Sequence, residues 1–323
     1  MFSIKTARLL AASWCAIWTG FAQAQAYPNK PIRVMVGYAP GGSADAGVRP
    51  LAKALEPLLG QPIIIDYKPG NAGGVAMDLI AKAPADGYTL YFFDSGPLTV
   101  APHMGRVTYD VNKSFSVLGH VCGSGSMLVV HPGTGIKTFA EFIAAAKKNP
   151  GKLDFASTGV GSASHLAGEL LNDMAGIDTL HVPYKGGAAA LQDVLSGRVT
   201  GWYATMATAA PHIEAGKLVP LASTGAQRVA SLPKIPTIAE SGYPGFNATN
   251  WYAFMASAKV PKPVLDRWNQ ELVKVLTTPD VVEQLNKHGL TPMPGSREEL
   301  ARYMASETAM WGRIIRERKI TAE

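Results

Sequence analysis

Cysteine is almost absent from this sequence. Only 2 of its 323 residues are cysteines, and Cys15 falls in an N-terminal segment with the pattern of a cleaved leader. Removal of that leader leaves Cys122 alone, which excludes an intramolecular disulfide, so a hydrophobic core must supply the stability. Cys122 stands among small residues in the stretch C-G-S-G-S, and this favours a structural role over a nucleophilic one.

Long apolar runs are missing after residue 26. Before it, Lys5 and Arg8 precede a mostly apolar stretch at 9–21, and a small-x-small cleavage pattern ends at Ala26. That stretch is too short to span a bilayer comfortably, and the alternative is a membrane anchor or a buried helix. We predict a signal peptide at residues 1–26, cleaved after Ala26, and a soluble protein exported to the periplasm.

Clusters of lysine and arginine are missing too. The formal net charge is +6, and loss of the two basic leader residues lowers it from +6 to +4. A mild, dispersed excess of this kind gives no support to a nucleic-acid partner. It mildly favours anionic ligands over cationic ones.

Signatures of common enzymes are also lacking. The stretch at 159–164 has two of the three Rossmann glycines, and no acidic residue follows the next strand. Neither a G-x-x-x-x-G-K-[ST] loop nor a G-x-S-x-G elbow occurs, and the 7 histidines show no metal-ligand spacing. We expect no cofactor and no metal. The rival hypothesis is an exported α/β hydrolase or transferase that uses Ser162 or Ser164 with His165, although triad members normally meet across a fold.

Short β-prone runs alternate with helical segments through most of the chain, and this alternation indicates a parallel α/β sheet covered by helices. Thr138 with Glu141, and Ser296 with Glu299, have the spacing of capping boxes and predict two helix starts. Three helices are predicted near the C-terminus, at 263–276, at 280–288 and from the cap at Ser296 through about Arg316. This tail suggests that the chain returns to cover its first lobe.

Three predicted strand-to-helix loops, at 40–45, 157–164 and 184–187, are rich in glycine or small hydroxyls. Ligands bind beyond the carboxyl ends of parallel strands, and a helix start there offers free N–H groups and a positive dipole end. The loops therefore suit a carboxylate or a phosphate. The alternative is that they only form turns and caps. For Asp45, helix capping competes with ligand contact, while pairing with Asp45 is the favoured use of Arg49.

Taken in order, several short motifs resemble the substrate-binding proteins of tripartite tricarboxylate transporters, the Bug family. The resemblance covers nearly all of the mature chain. Its motifs are Pro40-Gly41-Gly42 with Asp45 and Arg49; Lys68-Pro69-Gly70 with Gly73; Ala85 to Leu90; Ala156 to Gly159 with Gly161-Ser162 and Ser164-His165-Leu166; His181 to Gly186; Pro211-His212-Ile213 with Ala215-Gly216-Lys217; and Pro236 to Gly242.

The resemblance implies an α/β, two-lobed periplasmic binding protein of the type II-like Venus flytrap kind, and not an enzyme. Each lobe is expected to hold a mainly parallel sheet flanked by helices, with two crossover strands near 126–130 and 251–255. Lobe 1 is predicted at 27–127 plus 253–323, and lobe 2 at 128–252. The implied partners are a small organic carboxylate and the membrane subunits of a secondary transporter, or a sensor receptor. We expect a monomer.

The resemblance also implies that one loop from each lobe clasps a ligand carboxylate. More variable residues would meet the rest of the ligand. The predicted ligand-binding residues are Tyr38, Gly41, Gly42, Ser43, Ala44, Asp45, Ser95, Gly96, Ser157, Thr158, Gly159, Gly161, Ser162, Ser164, His165, Tyr184, Lys185, Gly186, Gly187, Tyr203 and Thr205.

The sequence departs from the family pattern in two places. Tyr67 replaces a usual asparagine and Asn71 a usual alanine, which predicts a different shape for the second glycine loop. Thr200 and Ala204 fill places that are often acidic. We therefore expect a non-amino carboxylate, an aromatic one included. Only one of Trp202 and Tyr203 can face the cleft, because strand side chains alternate.

Overall fold

The computed structural model describes residues 27–70, 73–105 and 107–321, so the predicted signal peptide lies outside the described residues. The strands are β1 (Ile32–Val36), β2 (Ile63–Tyr67), β3 (Thr89–Asp94), β4 (Phe115–Ser124), β5 (Ser126–Val130), β6 (Asp154–Ser157), β7 (Leu180–Pro183), β8 (Gly201–Thr205), β9 (Val219–Ser223), β10 (Asn250–Ser257) and β11 (Thr291–Pro292). The α-helices are α1 (Ser43–Leu59), α2 (Gly74–Ala81), α3 (Gly96–Thr99), α4 (Val111–Ser114), α5 (Phe139–Lys148), α6 (Ala163–Ala175), α7 (Gly187–Leu195), α8 (Met206–Glu214), α9 (Lys262–Leu276), α10 (Pro279–Lys287) and α11 (Arg297–Glu317). Short 3₁₀ turns lie at Ala101–Met104 and Pro132–Thr134.

Two separate sheets make this a two-lobed α/β fold. The first has the order β11-β4-β10-β3-β1-β2, with β1 parallel to β2 and β3 and with β10 antiparallel to β3 and β4. The second has the order β7-β6-β8-β5-β9, with β6 parallel to β7 and β8 and with β5 antiparallel to β8 and β9. Each sheet therefore has a parallel part, whose carboxyl edge is the expected place for a ligand.

The chain changes sheets twice. The first change is at Gly125, between the end of β4 and the start of β5, and the second lies between β9 and β10. The crossing segments are tied together: Thr224 N donates to Ser126 O at 2.8 Å, and Ser126 N donates to Thr224 Oγ1 at 2.8 Å. The lobe limits predicted at 127/128 and 252/253 fall inside β5 and β10, and they stay a prediction.

Helix α11 contacts both lobes. Near its start, Arg297 Nε donates to Val117 O on β4 at 2.9 Å. Near its end, Trp311 packs into the core of the second lobe, and Arg313 pairs with Asp173 of α6 at 3.0 Å. The predicted return of the C-terminal helices onto the first lobe is therefore seen for the start of α11, while its last turns lie against the second lobe.

The helix starts follow from local chemistry. Both predicted capping boxes form, at Thr138 with Glu141 and at Ser296 with Glu299, and they satisfy N–H groups that a helix start leaves open. Cys122 is fully buried in the first core, where burial raises the pKa of its thiol, as suits the predicted structural role. Within the described ranges no helix is long and apolar enough to cross a membrane.

Candidate ligand-binding cleft

A cavity of about 510 Å³ lies between the two lobes. The ends of β1 and β3 and the start of α1 line it from the first lobe, and the loop before α6 and the end of β8 line it from the second. Segments near both sheet changes, including Ser124, Ser126 and Asn250, also line it. The cavity therefore lies where the carboxyl ends of parallel strands meet.

The loop before α6 holds its shape through its own hydroxyls. Ser164 Oγ accepts from Thr158 N at 3.0 Å, and Ser162 Oγ donates to Gly159 O at 2.6 Å. Ser162 is also the N-cap of α6, since its side chain accepts from His165 N. Because Ser162, Ala163 and Ser164 line the cavity, the positive end of the α6 dipole lies at it.

Asp45 stabilises the loop before α1 through hydrogen bonds and an ion pair. Its carboxylate accepts from Gly41 N at 2.9 Å and pairs with Arg49 Nε at 2.8 Å, and it is also hydrogen-bonded by the Tyr67 hydroxyl. Burial opposes ionisation of Asp45, but these hydrogen bonds outweigh it and lower its pKa. The predicted Asp45–Arg49 pair is confirmed. Asp45 does not line the cavity, whereas Ser43 at the start of α1 does.

Tyr67, one of the departures noted in the sequence, bonds Asp45 and Arg49, whereas Asn71, the other, lies outside the described residues. The Tyr67→Phe variant removes one donor from Asp45 but leaves Gly41 and Arg49 in place. We expect it to lose about 1 kcal/mol of unfolding free energy and to change ligand affinity by less than about threefold. Urea unfolding and calorimetry would measure both quantities. Tyr88→Phe, which loses a hydrogen bond to Asn29 far from the cavity, is the control, and a tenfold loss of affinity for Tyr67→Phe alone would contradict the expectation.

The structure brings about half of the predicted site residues to the cavity. Those that line it are Tyr38, Ser43, Ser95, Gly96, Thr158, Gly159, Gly161, Ser162, Ser164, Tyr203 and Thr205. Those that do not are Gly41, Gly42, Ala44, Asp45, Ser157, His165, Tyr184, Lys185, Gly186 and Gly187. The loop at 184–187 departs most from the prediction, because none of its residues lines the cavity. The Tyr184 hydroxyl donates to Asp193 at 2.8 Å instead of facing the cavity.

His165 supports the loop instead of facing the cavity. Its Nδ1 accepts from Gly161 N at 3.0 Å, and its ring stacks on His181 at 3.6 Å between centroids. His181 in turn pairs with Ser157 Oγ at 2.6 Å, and burial together with the neighbouring His165 lowers the pKa of His181 to about 4. The other ring nitrogen, Nε2, lies 3.7 Å from Glu169 Oε1, so neither nitrogen of His165 is placed as a base for Ser162 or Ser164.

The two aromatic residues of β8 separate as strand alternation requires. Both are about 1% exposed, but Tyr203 lines the cavity whereas Trp202 packs in the second-lobe core on the other side of the sheet. Gly187 lies behind this wall, since a Cβ there would meet the Trp202 ring at 3.5 Å. Tyr203 is therefore the aromatic residue of β8 that a ligand can contact.

Several lining residues were missed in the sequence, and Asp94 is the most consequential. It ends β3, accepts from the Tyr38 hydroxyl at 2.7 Å, and is the one charged side chain among the described residues that line the cavity. Burial raises its pKa to about 6. Its position before Ser95 and Gly96, at a strand exit, was a usable signal. Asn250, Tyr252 and Trp311 also line the cavity, and they come from distant parts of the chain.

In the described part of the chain no group of three or more His, Cys, Asp or Glu side chains could hold a metal ion. Comparison with known proteins then decides the family. The tripartite tricarboxylate transporter family receptor matches residues 48–320. This chain belongs to that family.

Relatives agree with the assignment to this receptor family. A protein encoded in the tcbD-tcbE intergenic region of Pseudomonas sp. (strain P51) is 35% identical over 99% of this chain and 96% of its own. Among solved structures, an R. palustris protein with adipate is 29% identical, with a TM-score of 0.76 over 91% of this chain and 99% of that one. The periplasmic binding protein BugD is also 29% identical, with a TM-score of 0.73 over 92% of this chain and 100% of that one.

Membership in the receptor family confirms the resemblance seen in the motifs. The chain is a periplasmic solute-binding protein with a two-lobed fold and not an enzyme. The hydrolase hypothesis has no support from the relatives, and the engaged Nδ1 of His165 speaks against it independently.

Proposed function

We propose that this receptor captures a small organic carboxylate in the cleft and delivers it to the membrane subunits of a tripartite tricarboxylate-type transporter. The observation that carries the proposal is the convergence on one cavity of two helix starts, those of α1 and α6, one from each lobe. Helix starts attract anions through their N–H groups and dipoles. The R. palustris relative solved with adipate supports a carboxylate.

The donors around the cavity suit a carboxylate because they carry no full charge. Ser43, the first residue of α1, lines the cavity, and the N-cap Gly42 makes no side-chain cap, so first-turn N–H groups of α1 lack a capping side chain. Thr158 and Ser164 add hydroxyls from the other lobe, while the proton of the Ser162 hydroxyl is donated to Gly159 O within the loop. No lysine or arginine is among the described residues that line the cavity, and neutral donors of this kind can hold and release an anion without an ion pair.

The remainder of the ligand would contact aromatic side chains. Tyr109, Tyr203 and Trp311 line the cavity from three different elements, and its volume of about 510 Å³ fits the range of small-molecule sites. These walls support a non-amino carboxylate, aromatic acids included. Calorimetry with aliphatic, aromatic and amino carboxylates would test this, and tight binding of amino acids alone would overturn it.

Capture would act through a population shift between open and closed lobes. The ligand favours the closed form because each lobe contributes half of its donors. We propose that the lobes are 27–127 plus 253–323 and 128–252, that the leader is cleaved after Ala26, and that the protein is a monomer. Size-exclusion chromatography, mass spectrometry of the exported protein, and pull-down of membrane subunits or of a sensor receptor with and without ligand would test these points.

A thermal-shift screen over small carboxylates is the direct test of capture. At a concentration of 100 times its Kd, a ligand should stabilise the protein by about 2.7 kcal/mol, which is a rise in Tm of several degrees. Ser164→Ala should remove most of the rise because its hydroxyl lies at the proposed carboxylate site. Ser162→Ala should do the same because it loses the bond to Gly159 O and the N-cap that shape the loop there. The control is Ser306→Ala, whose hydroxyl is bonded within α11. A normal rise in both site variants would show that the site is elsewhere.

A further inference from the structure

The cavity wall carries one carboxylate of its own. Asp94 lies at the end of β3, and one of its oxygens accepts from the Tyr38 hydroxyl at 2.7 Å. No lysine, arginine or histidine of the described residues lies within ion-pair distance of it. A buried carboxylate normally has a cationic partner or a full set of donors. Asp94 is half-buried and accepts from the Tyr38 hydroxyl and from its own backbone N–H, which leaves lone pairs of its carboxylate for a donor on a ligand in the cavity.

The groups packed around Asp94 cannot balance its charge. The titratable side chains that face it are Tyr38 from the loop after β1, Tyr91 from β3 itself, Tyr109 from the segment before α4, and Tyr252 from β10. Burial, with Asp94 itself adding to it, raises the pKa of all four, so they stay neutral at working pH. Asp94 is therefore the group on this wall that changes charge near neutrality.

The cleft therefore has hydrogen-bond donors in one part of its wall and acceptors in another. The starts of α1 and α6 offer donors to one carboxylate, while Asp94 and the engaged Tyr38 hydroxyl offer acceptors. A second ionised carboxylate near Asp94 would meet a like charge in a partly dry site, which is unfavourable. A ligand hydroxyl or ammonium there would instead complete the hydrogen bonding of Asp94.

We propose that Asp94 is a specificity-determining residue of this cleft, which selects carboxylates carrying a hydrogen-bond donor over matched carboxylates that lack one. The inference rests on the proposed function, because it concerns the same cavity. Among the non-amino carboxylates proposed above, the donor is a hydroxyl. A hydrogen bond to a charged acceptor discriminates by about tenfold to a hundredfold, whereas aromatic walls alone do not read a hydroxyl at all.

The test uses matched ligand pairs and the Asp94→Asn variant. Calorimetry at pH 7.5 would compare 4-hydroxybenzoate with benzoate, malate with succinate, and aspartate as the amino arm. For at least one pair the wild type should bind the hydroxyl member about tenfold or more tightly. Asp94→Asn keeps the shape and can still accept from Tyr38, so it should fold; its hydroxyl preference should fall at least fivefold.

Asp66→Asn is the matched control, because Asp66 stands near the end of the parallel strand β2 but pairs with Lys68 at 3.0 Å and does not line the cavity. It should leave the preference unchanged.

An unchanged preference in Asp94→Asn, with binding intact, would overturn the role of Asp94 alone. Failure of every carboxylate to bind the wild type would overturn the proposed function instead. Preference for aspartate that Asp94→Asn abolishes would support Asp94 and overturn the non-amino ligand.

A pH series gives a second readout that a structural role would not move. As pH falls below about 6 Asp94 gains a proton, so the wild-type preference for the hydroxyl member should shrink and succinate should bind more tightly. Asp94→Asn has nothing to titrate at this position, and its preference should stay flat between pH 7.5 and 5. A parallel loss of preference in both proteins would contradict the proposal.

Discussion

The Gly125→Ala variant should lose about 2 kcal/mol of unfolding free energy, within the range of overpacked sites. Gly125 is the residue at which the chain passes from the first sheet to the second. A Cβ built there would lie 2.8 Å from Gly225 N and 3.0 Å from Gly225 Cα. Because both contacts are backbone, no side chain can rotate away, and the two crossing segments must move apart.

The same displacement should reach the ligand. Gly125 lies between Ser124 and Ser126, which both line the cavity, and the bonds between Ser126 and Thr224 hold the two crossings together. We therefore expect a lower affinity for whichever carboxylate the wild type binds best. Urea unfolding would give the stability, and calorimetry on the folded variant would give the affinity.

Gly225→Ala is the matched control from the other side of the same contact. Its added Cβ would meet Gly125 Cα and Thr249 Oγ1 at 3.5 Å, which is ordinary packing, so its stability should change by no more than about 0.5 kcal/mol. Equal losses in the two variants would mean that any side chain at the crossing is harmful. A Gly125→Ala protein as stable as wild type would show that the backbones separate freely there.

Local signals predicted most of the fold. The capping residues Thr138 and Ser296 start helices where predicted, because a cap depends on a few neighbouring residues. Short strands such as Val219–Ser223 form within the predicted alternation of strands and helices. Strand β4 was not predicted, because Gly119 and Gly123 interrupt its β-prone residues. Both glycines are required by groups that are distant in the sequence. A Cβ at Gly119 would lie 2.8 Å from Asn269 Nδ2, and one at Gly123 would lie 2.6 Å from Thr249 Cγ2.

The site residues also fall into two groups: those that local sequence patterns predicted and those that only the tertiary fold brings to the cavity. The loops before α1 and α6 were found because glycine and hydroxyl residues are contiguous there, and Ser43, Thr158, Ser162 and Ser164 do line the cavity. Asn250 is brought to the cavity by the second sheet change and Trp311 by helix α11. No local sequence pattern predicts either position. The loop at 184–187 shares its glycines with the other two loops but has no serine or threonine. It does not line the cavity. The Tyr184 hydroxyl instead donates to Asp193 in α7, the helix that follows this loop.

His120 should make the protein sensitive to acid. It is 7% exposed on β4, packs edge-on against Trp251 and Tyr303 at 5.1 and 5.0 Å, and its Nε2 has no hydrogen-bond partner among the described residues. Burial lowers its pKa from 6.5 to about 4, with Glu299 opposing weakly. Between these values the unfolded chain holds the proton and the folded protein does not, so stability present above pH 6.5 is lost as the pH falls toward 4.

The expected loss from this one imidazole is about 3 kcal/mol between pH 7 and 4. His120→Phe keeps the ring contacts and cannot titrate, so its unfolding free energy should fall less over this range by about that amount. Any repacking cost of the larger ring is the same at every pH and leaves this difference untouched.

Other groups titrate in the same window, and only a comparison of variants separates them. His181, with its pKa lowered to about 4, adds to the acid sensitivity. Asp94 has a pKa raised to about 6, so its protonated form is favoured in the fold and it contributes stability as the pH falls. Both are present in wild type and in His120→Phe, and their contributions cancel in the difference. His288→Gln, at an exposed position, should follow the wild-type curve; a His120→Phe curve parallel to wild type would show that this imidazole charges without cost.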